Sequence, residues 1–196
     1  EVILRFDDTD AVVKRPDPEA YALIEEDYSW LAGQAPDRIL RASDRMDVYL
    51  EHATQALSEK HAYVCKCTVD AFKEFRISKT ECPCRNRSTE ENIDLWGQMN
   101  EGSIQPGNAV VRIKTDMTLP NPALRDWPAL RIQHADHPLV GDRYKVWPLL
   151  DFQSAIEDHL QGVTHIVRGK DLMDSTRKQT LLYEKLGWTY PETLYW

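Results

Sequence analysis

Helix and strand patterns alternate at both ends of this chain, and the stretch between them follows different rules. At the amino end, Glu1 to Phe6 has the composition of a strand and runs into the polar cluster Asp7-Asp8-Thr9-Asp10. Asp17 and Pro18 then open a helix whose apolar positions Ala20, Leu23, Ile24, Tyr28 and Leu31 recur at helical spacing up to Gly33. A second helix is expected over Met46, Tyr49, Leu50, Ala53, Ala56 and Leu57, capped by Ser43 or Asp44, before an extended Ala62 to Cys65. At the carboxyl end, Lys145 to Trp147 reads as strand, Phe152 to Leu160 as helix ended by Gly162, and Thr164 to Val167 as strand. A closing helix carries Leu181, Leu182 and Leu186, with Asp174 or Ser175 as its cap and Gly187 as its stop.

The middle breaks this rhythm. All four cysteines fall between Cys65 and Cys84, followed by the capping box Ser88-Thr89-Glu90-Glu91 ahead of Ile93, Trp96 and Met99. Ala109, Val111 and Ile113 alternate with Arg112 and Lys114 as in a half-buried strand, and Pro120, Pro122 and Pro128 predict irregular backbone beyond it. A doubly wound α/β domain, its parallel sheet interrupted by an inserted α+β unit, accounts for both patterns. A chain of 196 residues has room for such a core.

Charge follows the same division. Lys66 to Arg131 carries 10 basic and 9 acidic residues, so the net charge of -8 resides in the flanks. The acidic whole argues against non-specific attraction to nucleic acid, while the balanced middle leaves room for a local RNA contact. No apolar run approaches the ~20 residues of a membrane helix and no secretion signal is visible, so a cytoplasmic protein with no membrane partner is expected. A first residue other than Met, inside a strand pattern, is the expected look of a fragment.

Three groups of residues can carry chemistry. Asp7, Asp8 and Asp10 stand at the carboxyl end of a strand, where open α/β sheets bind ligands and where Asp also simply makes turns. Arg168-Gly169-Lys170-Asp171 ends another strand; Arg168 offers a fork that suits a carboxylate or phosphate, or it pairs with a nearby Asp at the surface. Cys65-Lys66-Cys67 and Cys82-Pro83-Cys84 supply four thiolates in two short pairs, which suits one structural Zn²⁺; buried thiols and disulfides are the competing readings, the second disfavoured in a reducing compartment. Among the basic residues around them, Arg85, Arg87, Arg112 and Arg125 are candidates for RNA phosphates. Trp96 and Trp127 can stack on bases or fill a core, and His134-Ala135-Asp136-His137 offers two metal-type ligands without a third.

The order of several longer motifs adds a resemblance. Leu4-Arg5-Phe6-Asp7-Asp8-Thr9-Asp10, Pro83-Cys84-Arg85-Asn86-Arg87-Ser88, Asn121-Pro122-Ala123-Leu124-Arg125-Asp126 and Gly162-Val163-Thr164-His165-Ile166-Val167-Arg168-Gly169-Lys170-Asp171 together resemble the class I glutamyl- and glutaminyl-tRNA synthetases, closest to the archaeal glutamyl type. The resemblance implies a Rossmann-type catalytic domain in two parts, residues 1–60 and 139–196, around an acceptor-binding insertion at 61–138. It also implies that Asp7 receives the α-ammonium of the amino acid and that Arg168 faces its side-chain carboxylate, where glutaminyl enzymes are uncharged. Leu150, Asp151 and Ser154 fall along the amino-acid pocket, with Leu150 standing where a tyrosine is common. Gly169 and Asp171 fall where the family contacts ATP.

On this resemblance the expected activity is glutamate–tRNA ligation, with ATP and Mg²⁺ as cofactors, Zn²⁺ as a structural ion, and tRNA(Glu), with tRNA(Gln) as a second candidate, as the partner of a monomer. Glutaminyl-tRNA synthesis and a zinc-stabilised RNA-binding module without enzymatic activity are the rival expectations. Neither the His-Ile-Gly-His type nor the Lys-Met-Ser-Lys-Ser type motif of the family occurs here, so these 196 residues alone are expected to be inactive.

Overall fold

A computed structural model describes the whole chain, residues 1–196. Strand β1 (Ile3–Phe6), helix α1 (Pro18–Ala32) and strand β2 (Arg38–Arg41) form a parallel β-α-β unit, in register from Ile3 opposite Arg38 to Phe6 opposite Arg41. The expected punctuation of α1 is present. Asp17 accepts a hydrogen bond from the Glu19 amide, Pro18 occupies the first turn, and Gly33 ends the helix at φ 69°. Helix α2 (Met46–Ser58) follows a 3-10 turn over Ala42–Arg45 and has no side-chain cap. Ser43, expected to cap it, instead gives its amide and its hydroxyl to the Asp8 carboxylate, both at 2.8 Å.

The chain next builds a four-stranded antiparallel sheet in the order β3 (Ala62–Cys65), β4 (Val110–Ile113), β5 (Pro128–Ile132), β6 (Val146–Pro148). Helices α3 (Val69–Ser78) and α4 (Thr89–Asn100) lie between β3 and β4, and both halves of the Ser88–Glu91 capping box are made. Pro128 corrects the expectation of irregular backbone: it opens β5, a position where the missing N–H costs no ladder bond. Because β6 pairs with β5, the sheet runs across the boundary expected at 138/139.

Helix α5 (Leu150–Leu160), strand β7 (His165–Arg168), helix α6 (Met173–Leu186) and strand β8 (Glu192–Tyr195) complete the chain, with β7 and β8 parallel. The expected cap of α6 is another correction, since the helix has no side-chain cap and Asp174 accepts from Asn121 Nδ2 at 2.6 Å. The single parallel sheet expected from the alternation is here two parallel pairs, β1–β2 and β7–β8, that share no hydrogen bonds. They are joined through side chains and helix α5, most directly where Arg5 of β1 meets Asp158 of α5 at 2.8 Å.

One apolar core crosses all these parts. Tyr49 and Leu57 of α2, Met99 of α4, Ile113, Leu130 and Trp147 of the sheet, Ile156 of α5 and Leu182 of α6 are all buried in it. Trp96 and Trp127 belong to the same core, so base stacking by either is replaced by packing. A smaller cluster of Tyr63, Cys65, Phe72, Cys82 and Cys84 sits beside it. No helix is long and apolar enough to cross a membrane.

Candidate functional site

The carboxyl ends of β1 and β7 and the first turns of α5 and α6 surround a cavity of ≈ 200 Å³. Its lining includes Asp7, Leu150, Asp151, Ser154 and Arg168, residues from three separate stretches of the sequence that the resemblance assigns to one pocket. A ligand at strand carboxyl ends is the usual arrangement in open α/β sheets.

The acidic cluster after β1 divides its work. Asp7 borders the cavity, accepting from Arg5 Nε at 3.1 Å and from Gln153 Nε2 at 2.8 Å. Asp8 turns inward and is buried, where it accepts from Tyr21 Oη at 2.6 Å as well as from Ser43. His137, one of the weak metal candidates, is buried with Nε2 2.8 Å from the Asp8 carbonyl oxygen and stacks on Trp147. Asp10 pairs with Arg131 at 3.0 Å and accepts from Gln133 and the amides of Val12 and Val13. Burial raises the Asp10 carboxyl, but these hydrogen bonds and Arg131 outweigh it and hold the group down at about 2. The loop that carries Asp7 is therefore anchored on both sides.

Arg5 supports Asp7 from β1. Burial works against its charge, and the adjacent Asp7 and Asp158 more than offset that, raising its pKa. Asp158 itself is raised, by burial first, with Arg5 opposing. Across the cavity, Arg168 donates from Nη1 to Gln179 Oε1 at 3.0 Å and lies 3.4 Å from Thr176 Oγ1, and both partners are neutral. Asp151 is matched by Lys178 at 2.7 Å, Ser154 donates to the Leu150 carbonyl, and Leu150 presents a half-exposed apolar side chain at the rim. Gly169 and Asp171 lie beyond Arg168 at the strand end and outside the cavity lining. Gly169 has an ordinary φ of -64°, and a Cβ there would collide with the Asp171 carboxylate folded over it.

The cysteines converge. All four Sγ atoms lie within 4.8 Å of one another, with Cys65–Cys82 at 3.9 Å and Cys67–Cys84 at 3.8 Å. Sulfurs ~2.3 Å from one tetrahedral centre stand about 3.8 Å apart, so the donor set fits Zn²⁺, whereas a disulfide needs roughly 2.05 Å. Contact with Cys65 and with the Tyr63 hydroxyl outweighs burial and lowers the Cys82 thiol, while the same contact pushes Cys65 up.

The four candidate arginines do not make one face. Arg125 is 5% exposed and donates to the carbonyls of Leu119, Arg76 and Pro120, which engages all three of its guanidinium nitrogens inside the protein. Arg85 is paired with Asp126 and Glu81 and donates to the Thr115 carbonyl. Arg87 donates to the Val64 carbonyl. Arg112 also donates to a carbonyl, that of Asp126 at 3.1 Å, but it lies 3.3 Å over the Phe72 ring and lines a cleft of ≈ 440 Å³ with Lys73, Arg76, Arg131 and Leu149.

Sequence patterns did not reveal Gln153, Gln179 or Tyr190. Gln153 and Gln179 are fully buried and fix two of the charged groups of the cavity, Asp7 and Arg168; Tyr190 in turn holds Gln179. A neutral amide on a helix face carries no spacing signal, and only the fold brings it to its partner.

The family described as tRNA synthetases class I (E and Q), catalytic domain, matches residues 1–196. Glutamate–tRNA ligases of Methanothrix thermoacetophila and Archaeoglobus fulgidus are 53% and 52% identical over 194 residues, covering 99% of this chain and 34% and 35% of their own lengths. The chain thus spans about a third of those relatives. A crystal structure of a glutamate tRNA ligase from Elizabethkingia meningosepticum in complex with its amino acid shares the fold with a TM-score of 0.67. It is 22% identical, and the match covers 98% of this chain and 42% of that one. A family match over every residue and two relatives above half identity agree with the mixed α/β architecture, and the chain belongs to the class I (E and Q) tRNA synthetase catalytic-domain family.

Proposed function

We propose that this chain is the amino-acid-recognition part of a glutamate–tRNA ligase, which activates glutamate with ATP and transfers it to the 3′ end of tRNA. One observation carries the choice of glutamate: Arg168 reaches the cavity with only neutral hydrogen-bond partners and in no ion pair, so a guanidinium charge is available there. A side-chain carboxylate satisfies that charge in two-point fashion. A neutral amide leaves it unmatched, at a cost on the order of 3–5 kcal/mol, which favours glutamate over glutamine. The relatives that bear the name glutamate–tRNA ligase point the same way.

In this reading Asp7, held by Arg5 and Gln153, receives the α-ammonium. The two charged ends of the amino acid are then fixed, and the α-carboxylate is presented to the α-phosphorus of ATP, from which pyrophosphate departs. The glutamyl group passes from the adenylate to a terminal ribose hydroxyl of the tRNA. No side chain of this chain becomes covalently attached; Asp7 and Arg168 act by positioning. Gly169 and Asp171, at the strand end next to Arg168, are placed toward the nucleotide, and Mg²⁺ offsets charge on its phosphates.

Residues 61–138 serve as the acceptor-binding insertion, cross-linked by Zn²⁺ on Cys65, Cys67, Cys82 and Cys84. Its RNA contact is the cleft of Arg112, Arg131, Lys73 and Arg76, with Arg85 and Arg125 acting as internal supports. tRNA(Glu) is the proposed partner. The test is charging by the full-length protein that contains this segment, with glutamate and glutamine each offered on tRNA(Glu) and tRNA(Gln). Glutamate attachment to tRNA(Glu) supports the reading, and attachment of glutamine alone overturns it.

A further inference from the structure

We infer that Gln179 is a specificity-determining positioning residue: it aims the Arg168 guanidinium into the cavity without neutralising it. The inference rests on the proposal that Arg168 receives the side-chain carboxylate. Gln179 stands on α6, is 1% exposed, and makes contact with three other parts of the chain. Its Oε1 accepts from Arg168 Nη1 at 3.0 Å and from Tyr190 Oη at 2.7 Å. Its Nε2 donates to Ser154 Oγ at 2.6 Å and lies 3.4 Å from the Asp151 carbonyl oxygen.

Chemistry fixes which way this amide points. A guanidinium has no acceptor, so the atom facing Arg168 is the oxygen. The Ser154 hydroxyl gives its proton to the Leu150 carbonyl at 2.8 Å, so toward Gln179 it can only accept. The amide therefore cannot rotate by half a turn without breaking contacts at both ends. Through it, the guanidinium on β7 is tied to α5, α6 and the segment before β8.

The neutrality of this partner is the second half of the inference. Each other charged group around the cavity faces an opposite charge: Asp7 and Asp158 face Arg5, and Asp151 faces Lys178. Arg168 is in no ion pair: its hydrogen-bond partners are an amide and a hydroxyl, and Asp158, already held by Arg5, acts on it only at longer range. A glutamate at position 179 would have the same length and would place a carboxylate against Arg168, as Asp126 does against Arg85. The charge that recognises a substrate carboxylate would then be matched from within, and glutamate would lose its advantage over glutamine.

The experiment is ATP–pyrophosphate exchange by the full-length protein, with KM and kcat measured separately for glutamate and glutamine. For Gln179→Glu, the KM for glutamate rises at least roughly tenfold, kcat stays within about threefold, and the preference in kcat/KM for glutamate over glutamine narrows by at least roughly tenfold. For Gln179→Met, which keeps length and removes the acceptor, KM rises about threefold to tenfold with a smaller change in preference. Arg168→Gln separates the two claims. If it leaves the glutamate KM and the preference unchanged, the reading of Arg168 falls and this inference with it. If it abolishes the preference while both Gln179 variants behave as wild type, Gln179 is no positioning residue and the reading of Arg168 stands. Should Gln179→Glu fail to fold, Gln179→Met decides: raised KM at constant kcat supports the inference, and an unchanged KM overturns it.

Discussion

Arg168 and Arg85 are both half-buried arginines at the edge of a polar cluster, and they are put to opposite uses. Arg85 is enclosed by Asp126 and Glu81 and by the Thr115 carbonyl; Asp126 in turn accepts from Tyr63 Oη at 2.9 Å and from the Thr115 amide at 2.8 Å. That cluster is closed on itself and joins the cysteine module to the 3-10 turn over Pro122–Leu124 and its flank. Arg168 has neutral partners and an open cavity beside it. The company an arginine keeps, more than its place in a basic stretch, decides whether its charge braces the fold or remains for a ligand.

If this contrast holds, the largest effects belong to the closed module. Removing the proposed zinc with a chelator, or the Cys82→Ser substitution, should abolish about one bound metal per chain by elemental analysis. Hydrogen exchange should then accelerate in β3 and α3 while α5, β7 and α6 stay protected. Unchanged protection in β3 and α3 would remove the metal from the account of the module.

Next in size is Asp126→Asn. Asp126 sits at φ 39°, which asparagine tolerates, so the variant tests charge with little backbone strain. Leaving Arg85 without this partner should cost about 3 kcal/mol in a denaturant melt. A loss under about 1 kcal/mol would mean the cluster is not closed in the sense argued. Arg168→Gln sharpens the comparison from the other side: its stability should change by about 1 kcal/mol at most, because it loses hydrogen bonds to neutral groups and no ion pair, while amino-acid preference is lost.

Ser88→Ala, which removes half of the α4 capping box, should cost about 1 kcal/mol wherever the ligand stands. The smallest effect concerns pH. Asp10 has a depressed carboxyl pKa of about 2, so its contribution is complete above the unfolded value near 4 and is lost as pH falls toward 2. The stability difference between the wild type and Asp10→Asn should therefore shrink over that interval and remain constant from pH 5 to 7.

What the sequence made legible was local or motif-borne. The limits of α1 follow from Asp17, Pro18 and Gly33, and the start of α4 from Ser88 and Glu91, because each signal acts within one turn. Strands β2 and β8 escaped notice, since each is four residues long and is defined by a partner far away in the chain. Ser43 and Asp174 are good caps by type, yet Asp8 and Asn121 engage them. Asp7 and Arg168 were legible as charged residues at strand ends, and their meeting at one cavity follows from that position. What the sequence could not show in the basic middle was how its arginines are engaged: the carbonyls of Arg76 and Pro120 fold onto Arg125, and the carboxylate of Asp126 onto Arg85.

The most direct test is a crystal structure of the full-length protein with bound glutamate. The side-chain carboxylate should lie within about 2.7–2.9 Å of the Arg168 guanidinium, with the α-ammonium at Asp7 and the Arg168–Gln179 contact intact. A glutamate whose side-chain carboxylate is held by another cation, such as Lys178, with Arg168 turned away, would contradict the account.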